Sequence, residues 1–181
     1  MNIIKTKIEG VLIIEPKVFG DERGFFVETY NFEKYKEVGI VLPFVQDNLS
    51  SSSKGVLRGL HFQKKPFAQG KLVQVIKGKV LDVAVDIRKN SPTCGQYVAV
   101  ELSGENKKQL WIAPGLAHGF LSLEDDTIFS YKCTNFYNPS SERGIMWDDE
   151  NLNIDWQLSE NRIEIPIISE KDKQNILFSE L

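Results

Sequence analysis

Apolar residues recur along this chain mostly at every second position, in short runs closed by glycine or polar clusters, which is the spacing of half-buried strands. Val11 to Glu15 and Gly24 to Tyr30 read as strands, separated by a turn at Gly20-Asp21-Glu22-Arg23. Asn31 caps a short helical stretch over Phe32 to Val38, which Gly39 can end. Lys71 to Arg88 carries two β-rich runs around Lys77-Gly78-Lys79 and predicts a hairpin. QYVAVEL, QLWIA, HGFLSL and TIFSYKCTNFY continue the series, the first two split by a polar turn near Ser103-Gly104-Glu105-Asn106. The serine run at 50 to 53 reads as a loop, and only the tail, Ser169 through Phe178, turns helical again. Many short strands with regular turns and little helix predict an all-β sandwich or barrel, and the jelly roll suits a chain of this size.

One stretch breaks its own pattern. In GVLRGLHFQ, residues 55 to 63, alternation sends Leu60 and Phe62 to one face and Gly59, His61 and Gln63 to the other. Arg58 then falls on the apolar side, a poor place for an unpaired guanidinium. A bulge at Gly59 would aim Arg58 and His61 into one cavity. The plainer alternative is an edge strand with a solvated arginine.

At 181 residues the chain predicts a single domain over 1–181. Its 22 basic and 25 acidic residues give a net charge of −3, which argues against a nucleic-acid or membrane-surface role and leaves room for a local basic pocket. Lys5, Lys7 and Glu9 interrupt the N-terminal apolar residues, so neither a signal peptide nor a membrane span is expected there. Cys94 and Cys133 sit in no metal or redox spacing and are expected to be reduced. A soluble cytoplasmic protein is the economical expectation.

The chain has only two histidines, His61 and His118, each within two residues of a glycine in strand-like sequence. A metal site is one reading, but no H-x-H pair is present and Gln63, two beyond His61, is a poor ligand. Acid–base catalysis is the other, with a carboxylate to orient the imidazole. Candidates are Asp82 and Asp86, which share a strand face, and Asp172. Ser169 and Asp172, three apart, have the spacing of a helix-capping box, and that local role competes for Asp172. Lys71, Tyr131, Arg23, Arg58 and Glu28 could each be ordinary surface or core-edge residues.

FGDERGFFVETYN, FVQDNLSSSSKGVLRGLHFQ, QGKLVQVIKGKVLDVAVDIRKNSPTCG, LWIAPGLAHGF, YKCTNFYNPSSERGIMWDDENLNIDW and ISEKD follow one another in an order and spacing that resembles the dTDP-4-dehydrorhamnose 3,5-epimerase family, from about residue 8 to residue 173. The resemblance implies a cupin-type jelly roll (a double-stranded β-helix) with a few short peripheral helices, a homodimer, and no metal or other cofactor. It implies dTDP-4-keto-6-deoxy-D-glucose as substrate and inversion at C3 and C5, on either side of the C4 ketone.

By the same likeness His61 matches the base and Asp172 its carboxylate partner. Lys71 matches the cation near the C4 oxygen, and Tyr131 the proton donor at C5. His118, held by Asp82, would line the sugar site. Arg23 and Arg58 match diphosphate or nucleotide contacts; Glu28, Gln46, Asp47, Asn48, Glu142 and Lys171 match further contacts, and Tyr137 an aromatic that stacks on thymine. Strand exchange between family protomers implies that some contacts come from a second subunit. Tyr131 is expected to separate double inversion from a C3-only epimerase. A metal-dependent cupin oxygenase and a non-catalytic sugar-nucleotide binder are the rivals from other classes.

Overall fold

The computed structural model describes residues 1–181. Its strands are β1 (Asn2–Lys5), β2 (Val11–Glu15), β3 (Val18–Asp21), β4 (Gly24–Val27), β5 (Gln46–Ser52), β6 (Leu57–Gln63), β7 (Lys71–Lys77), β8 (Lys79–Asp86), β9 (Tyr97–Ser103), β10 (Gln109–Ile112), β11 (Leu116–Ser122), β12 (Thr127–Cys133) and β13 (Glu142–Gly144). The one α-helix, α1, spans Phe32–Glu37; two 3-10 turns, Asp172–Gln174 and Phe178–Glu180, lie near the C-terminus. A six-stranded sheet runs β1-β2-β10-β7-β12-β5 and faces a five-stranded sheet, β13-β6-β11-β8-β9, in a cupin-type jelly roll. β3 and β4 form a separate hairpin arm with Phe25 and Phe26 exposed. No helix is long and apolar enough to cross a membrane.

Period-two alternation decides which side chains enter the lumen. Val73, Val75, Leu110, Ile112 and Phe129 from the larger sheet meet Val80, Ala84, Leu102, Leu116 and Phe120 from the smaller one. The residues between them point outward. On the smaller sheet Leu81, Val83, Val85, Ala117 and Leu121 are covered by Ile145, Leu152, Trp156 and Ile163 from the C-terminal segment. On the larger sheet Ile14, Leu72 and Trp111 lie under Tyr35 and Ile40, around α1. Both outer faces are thus partly dry, so each sheet contributes apolar burial on two sides.

Four expectations are corrected. The serine run is no loop: Ser50 to Ser52 complete β5, because its hydrogen bonds to β12 continue to Thr127. β7 and β8 are strands, but they do not pair as a hairpin. β7 pairs with β10 and β12, β8 with β11 and β9, and the chain crosses between sheets at Gly78. That corner requires glycine: φ is +80°, and an added Cβ would lie 2.4 Å from Thr127 Oγ1. The strand from Gly24 stops at Val27, because the chain leaves its short hairpin partner there. The tail forms only 3-10 turns, because Ile176 bridges in parallel to Ile145 and pulls the backbone extended. Asn31 caps α1 as expected, its side chain accepting from Lys34 N–H.

Candidate active site

β6 carries the decisive irregularity. His61 pairs with His118 on β11, yet Arg58 pairs with Phe120, so three residue steps on β6 match two on β11. The extra residue is taken up at Gly59, where φ is +128° and an added Cβ would sit 2.5 Å from Gly119 Cα. Under unbroken alternation Arg58 and His61, three apart, would face opposite sides; with the bulge Leu57 and Leu60 enter the outer core while Arg58 and His61 open onto the lumen.

They line a cavity of about 470 Å³ at one end of the barrel, with Ser50, Lys71, His118, Phe120, Phe129, Tyr131, Lys171 and Asp172. Arg58, His61 and His118 come from the smaller sheet, Ser50, Lys71, Phe129 and Tyr131 from the larger one across the lumen. Phe120 and Phe129 stack at 4.2 Å between centroids and, with Val56, Leu57, Ile167 and Ile168, form the apolar part of the lining.

His61 Nε2 lies 2.5 Å from Asp172 Oδ1. Asp172 is 3% exposed, and its second oxygen accepts from Gly59 N–H at 3.5 Å. Burial raises its pKa, but the hydrogen bond and charge of His61, with Gly59 and Ser169, outweigh burial and hold the carboxyl below its usual range. An ionised acceptor there fixes the imidazole proton on Nε2 and leaves Nδ1 as the basic nitrogen. The two roles foreseen for Asp172 coexist: Ser169 Oγ accepts from Asp172 N–H, as in a cap, while the carboxylate goes to His61 instead of back to the Ser169 backbone.

His118 forms a second pair, its Nε2 3.0 Å from Asp82 Oδ2, with both side chains buried. Burial lowers the His118 pKa despite that carboxylate, so the ring is a neutral hydrogen-bonding wall. Burial likewise lowers the pKa of Lys71, partly offset by Cys133, Asp82 and Glu142, and raises that of Tyr131. A phenol and a lysine of shifted acidity therefore face a histidine–aspartate pair across one cavity.

A smaller lobe of about 100 Å³ adjoins the first, bordered by Gln46, Asn48, His61, Lys71, Tyr137 and Glu142. Tyr137 donates to Glu142 at 2.7 Å, Lys171 also donates to Glu142, and Tyr137 N–H donates to Gln46. Asp47 is not there: alternation turns it outward, where it pairs with Lys132 at 2.9 Å. Arg23 and Glu28 are absent as well. Arg23 pairs with Asp21 on the exposed arm, and Glu28 with Lys34 of α1. Sequence reasoning missed Ser50, Ser52, Phe120 and Phe129; carrying the alternation from Gln46 and Asn48 onward would have put both serines inside. No group of three His, Cys, Asp or Glu side chains converges as a ready metal-ligand set.

The sequence profile of dTDP-4-dehydrorhamnose 3,5-epimerase matches residues 5–180. The chain belongs to that family. The Shigella flexneri dTDP-4-dehydrorhamnose 3,5-epimerase is 58% identical over 173 residues, covering 95% of this chain and 93% of its own. The crystal structure of the Legionella pneumophila dTDP-6-deoxy-D-glucose-3,5-epimerase, in complex with dTDP-4-keto-L-rhamnose, superimposes with a TM-score of 0.93 at 54% identity, over 98% of this chain and 93% of that one. A more distant member, the 3'-monoepimerase ChmJ of Streptomyces bikiniensis, is 32% identical with a TM-score of 0.90, over 97% of this chain and 87% of its own. That structure is of a double mutant in complex with dTDP, in which a histidine and a tyrosine are replaced at the same sequence separation as His61 and Tyr131.

Proposed function

We propose that this chain inverts C3 and C5 of dTDP-4-keto-6-deoxy-D-glucose to give dTDP-4-keto-L-rhamnose. The observation that carries the reading is the placement of His61 with Asp172 on one sheet side and Tyr131 with Lys71 on the other. Each inverted carbon lies next to the C4 ketone, so its proton is acidic once the developing enolate oxygen is stabilised. His61 Nδ1 takes the proton, and Asp172 stabilises the imidazolium. Lys71, fixed on β7, supplies positive charge to the enolate oxygen. Tyr131 returns a proton from the opposite face, which inverts the carbon. His118, neutral against Asp82, holds the sugar.

Arg58 takes the diphosphate, where a planar guanidinium matches phosphate oxygens. The side of the smaller lobe, with Gln46, Asn48, Tyr137 and Glu142, takes the nucleoside, and Lys171, on the larger cavity, holds Glu142. Arg23 and Glu28 reach a site only if the arm enters a second subunit, which suits a homodimer; the exposed Phe25 and Phe26 suit burial there. We read residues 1–181 as one catalytic domain of a cytoplasmic enzyme that uses no metal. Tyr131 does not by itself separate double from single inversion, since a monoepimerase relative also has such a tyrosine. The 58% identity to a 3,5-epimerase, against 32% to that monoepimerase, favours the double reaction.

Incubation with dTDP-4-keto-6-deoxyglucose in D2O tests this. Deuterium at both C3 and C5 of an L-configured product is expected. Deuterium at C3 alone would make the protein a monoepimerase, and none at either carbon would overturn the reading.

A further inference from the structure

Arg58 has five N–H donors, and how many are already used decides what it can offer a ligand. Its Nε donates to Ser52 Oγ at 3.2 Å, and its Nη2 to the Ser51 carbonyl at 3.2 Å. Nε and Nη2 form one edge of the guanidinium fork, so that edge is docked against the end of β5. The adjoining edge, Nη1 with the remaining Nη2 hydrogen, makes no hydrogen bond within the protein, and Arg58 lines the cavity. Ser52 is 5% exposed and turned inward by the alternation of β5, whereas Arg58 itself is exposed. A buried hydroxyl thus holds an otherwise mobile side chain.

We propose that Ser52 is a positioning residue that presents the outer edge of Arg58 for two-point contact with the diphosphate. The inference rests on the assignment of Arg58 to the diphosphate. Arginine loses much rotamer freedom on binding, and a side chain fixed beforehand loses less, so pre-docking improves affinity without touching the reacting carbons.

The test compares dTDP and thymidine binding with steady-state turnover in wild type, Ser52→Ala, Ser52→Thr and Arg58→Met. Removal of the hydroxyl is expected to weaken dTDP binding and raise KM by roughly tenfold, the scale of one arginine's ordering entropy. Thymidine affinity and kcat should stay within about twofold, and Ser52→Thr should restore dTDP binding. In the Arg58→Met background, Ser52→Ala should cost nothing further. Ser52→Val, the isostere of the threonine variant, gives the same readout if alanine loosens the strand. Wild-type dTDP affinity in Ser52→Ala, equal losses for dTDP and thymidine, or additivity with Arg58→Met would each overturn the proposal while leaving the function intact. Failure of the wild type to bind dTDP would instead overturn the assignment of the site.

Discussion

Replacing Asp172 by asparagine keeps size and shape but forces a choice between two neighbours. Asp172 Oδ1 faces His61 Nε2 at 2.5 Å and Oδ2 faces Gly59 N–H at 3.5 Å. An amide has one acceptor oxygen. If it stays toward Gly59, the NH2 donates to His61 Nε2 and drives the ring proton onto Nδ1, the atom that must be free. If it turns to His61, the NH2 meets the Gly59 N–H, donor against donor, in a buried place. The first arrangement is favoured, so the base is held in the wrong tautomer. The charge that stabilises imidazolium disappears as well. Two unit charges about 4 Å apart attract by about 4 kcal/mol at an effective dielectric of about 20. At about 1.36 kcal/mol per tenfold, that alone is worth roughly 10³ in rate, and the same substitution in a Ser-His-Asp triad costs about 10⁴. Asp172→Asn should therefore lower kcat by roughly 10³ to 10⁴, with the loss appearing equally in deuterium exchange at C3 and C5. Calorimetry should find dTDP affinity within about threefold of wild type, since the nucleotide end is untouched. A folded variant that binds dTDP normally and loses less than about tenfold in exchange would refute the assignment of base and partner.

Tyr131→Phe removes a hydroxyl held by no hydrogen bond of the protein, so the melting temperature should barely move. It should exchange base-side protons yet make little L-configured product; unimpaired inversion at C5 would give the acid's role to another group. Activity should survive exhaustive EDTA dialysis, because no ready set of metal ligands converges; loss restored by zinc, iron or manganese would refute the metal-free mechanism. Burial lowers the Lys71 pKa, and loss of its cation removes enolate stabilisation, so kcat should fall with rising pH at a midpoint below the ordinary lysine value of 10.5. Tyr131 ionises higher than usual, so the Tyr131→Phe variant should keep that midpoint; a midpoint that vanishes with the phenol would assign the limb to Tyr131.

Most of the barrel strands were readable because period-two alternation is a local property, and α1 because Asn31 and Gly39 mark its ends; β1, β3, β13 and the serine half of β5 were not, being short or lacking apolar residues at alternate positions. Which strand pairs with which was not, since alternation is the same whether the next strand folds back or crosses to the other sheet. Gly78 shows this: its left-handed turn reads as a hairpin in sequence, and the contact with Thr127 that makes it a crossover lies 49 residues away in sequence (127 − 78). Asp172 was ambiguous for a similar reason. Its backbone answers to Ser169 nearby, its carboxylate to His61, 111 positions back. Asp47 was decidable from sequence, because Gln46 and Asn48 cannot both face inward without turning it out. The arm carrying Arg23 lies beyond such reasoning, because nothing in the sequence states which molecule it touches.

The extra residue at Gly59 divides β6 into two reading frames. Before it, an even-numbered residue, Arg58, looks into the lumen; after it, the odd-numbered ones, His61 and Gln63, do. Chemistry here depends on parity as much as on identity. The same residues laid as an unbroken strand, without the bulge, would turn Leu60 and Phe62 toward the ligand and His61 away among Leu81, Ala117 and Ile145. A sugar pocket and a greasy sleeve thus differ by whether one residue is set aside in a bulge, and the glycine is what lets that residue lie flat against its neighbour.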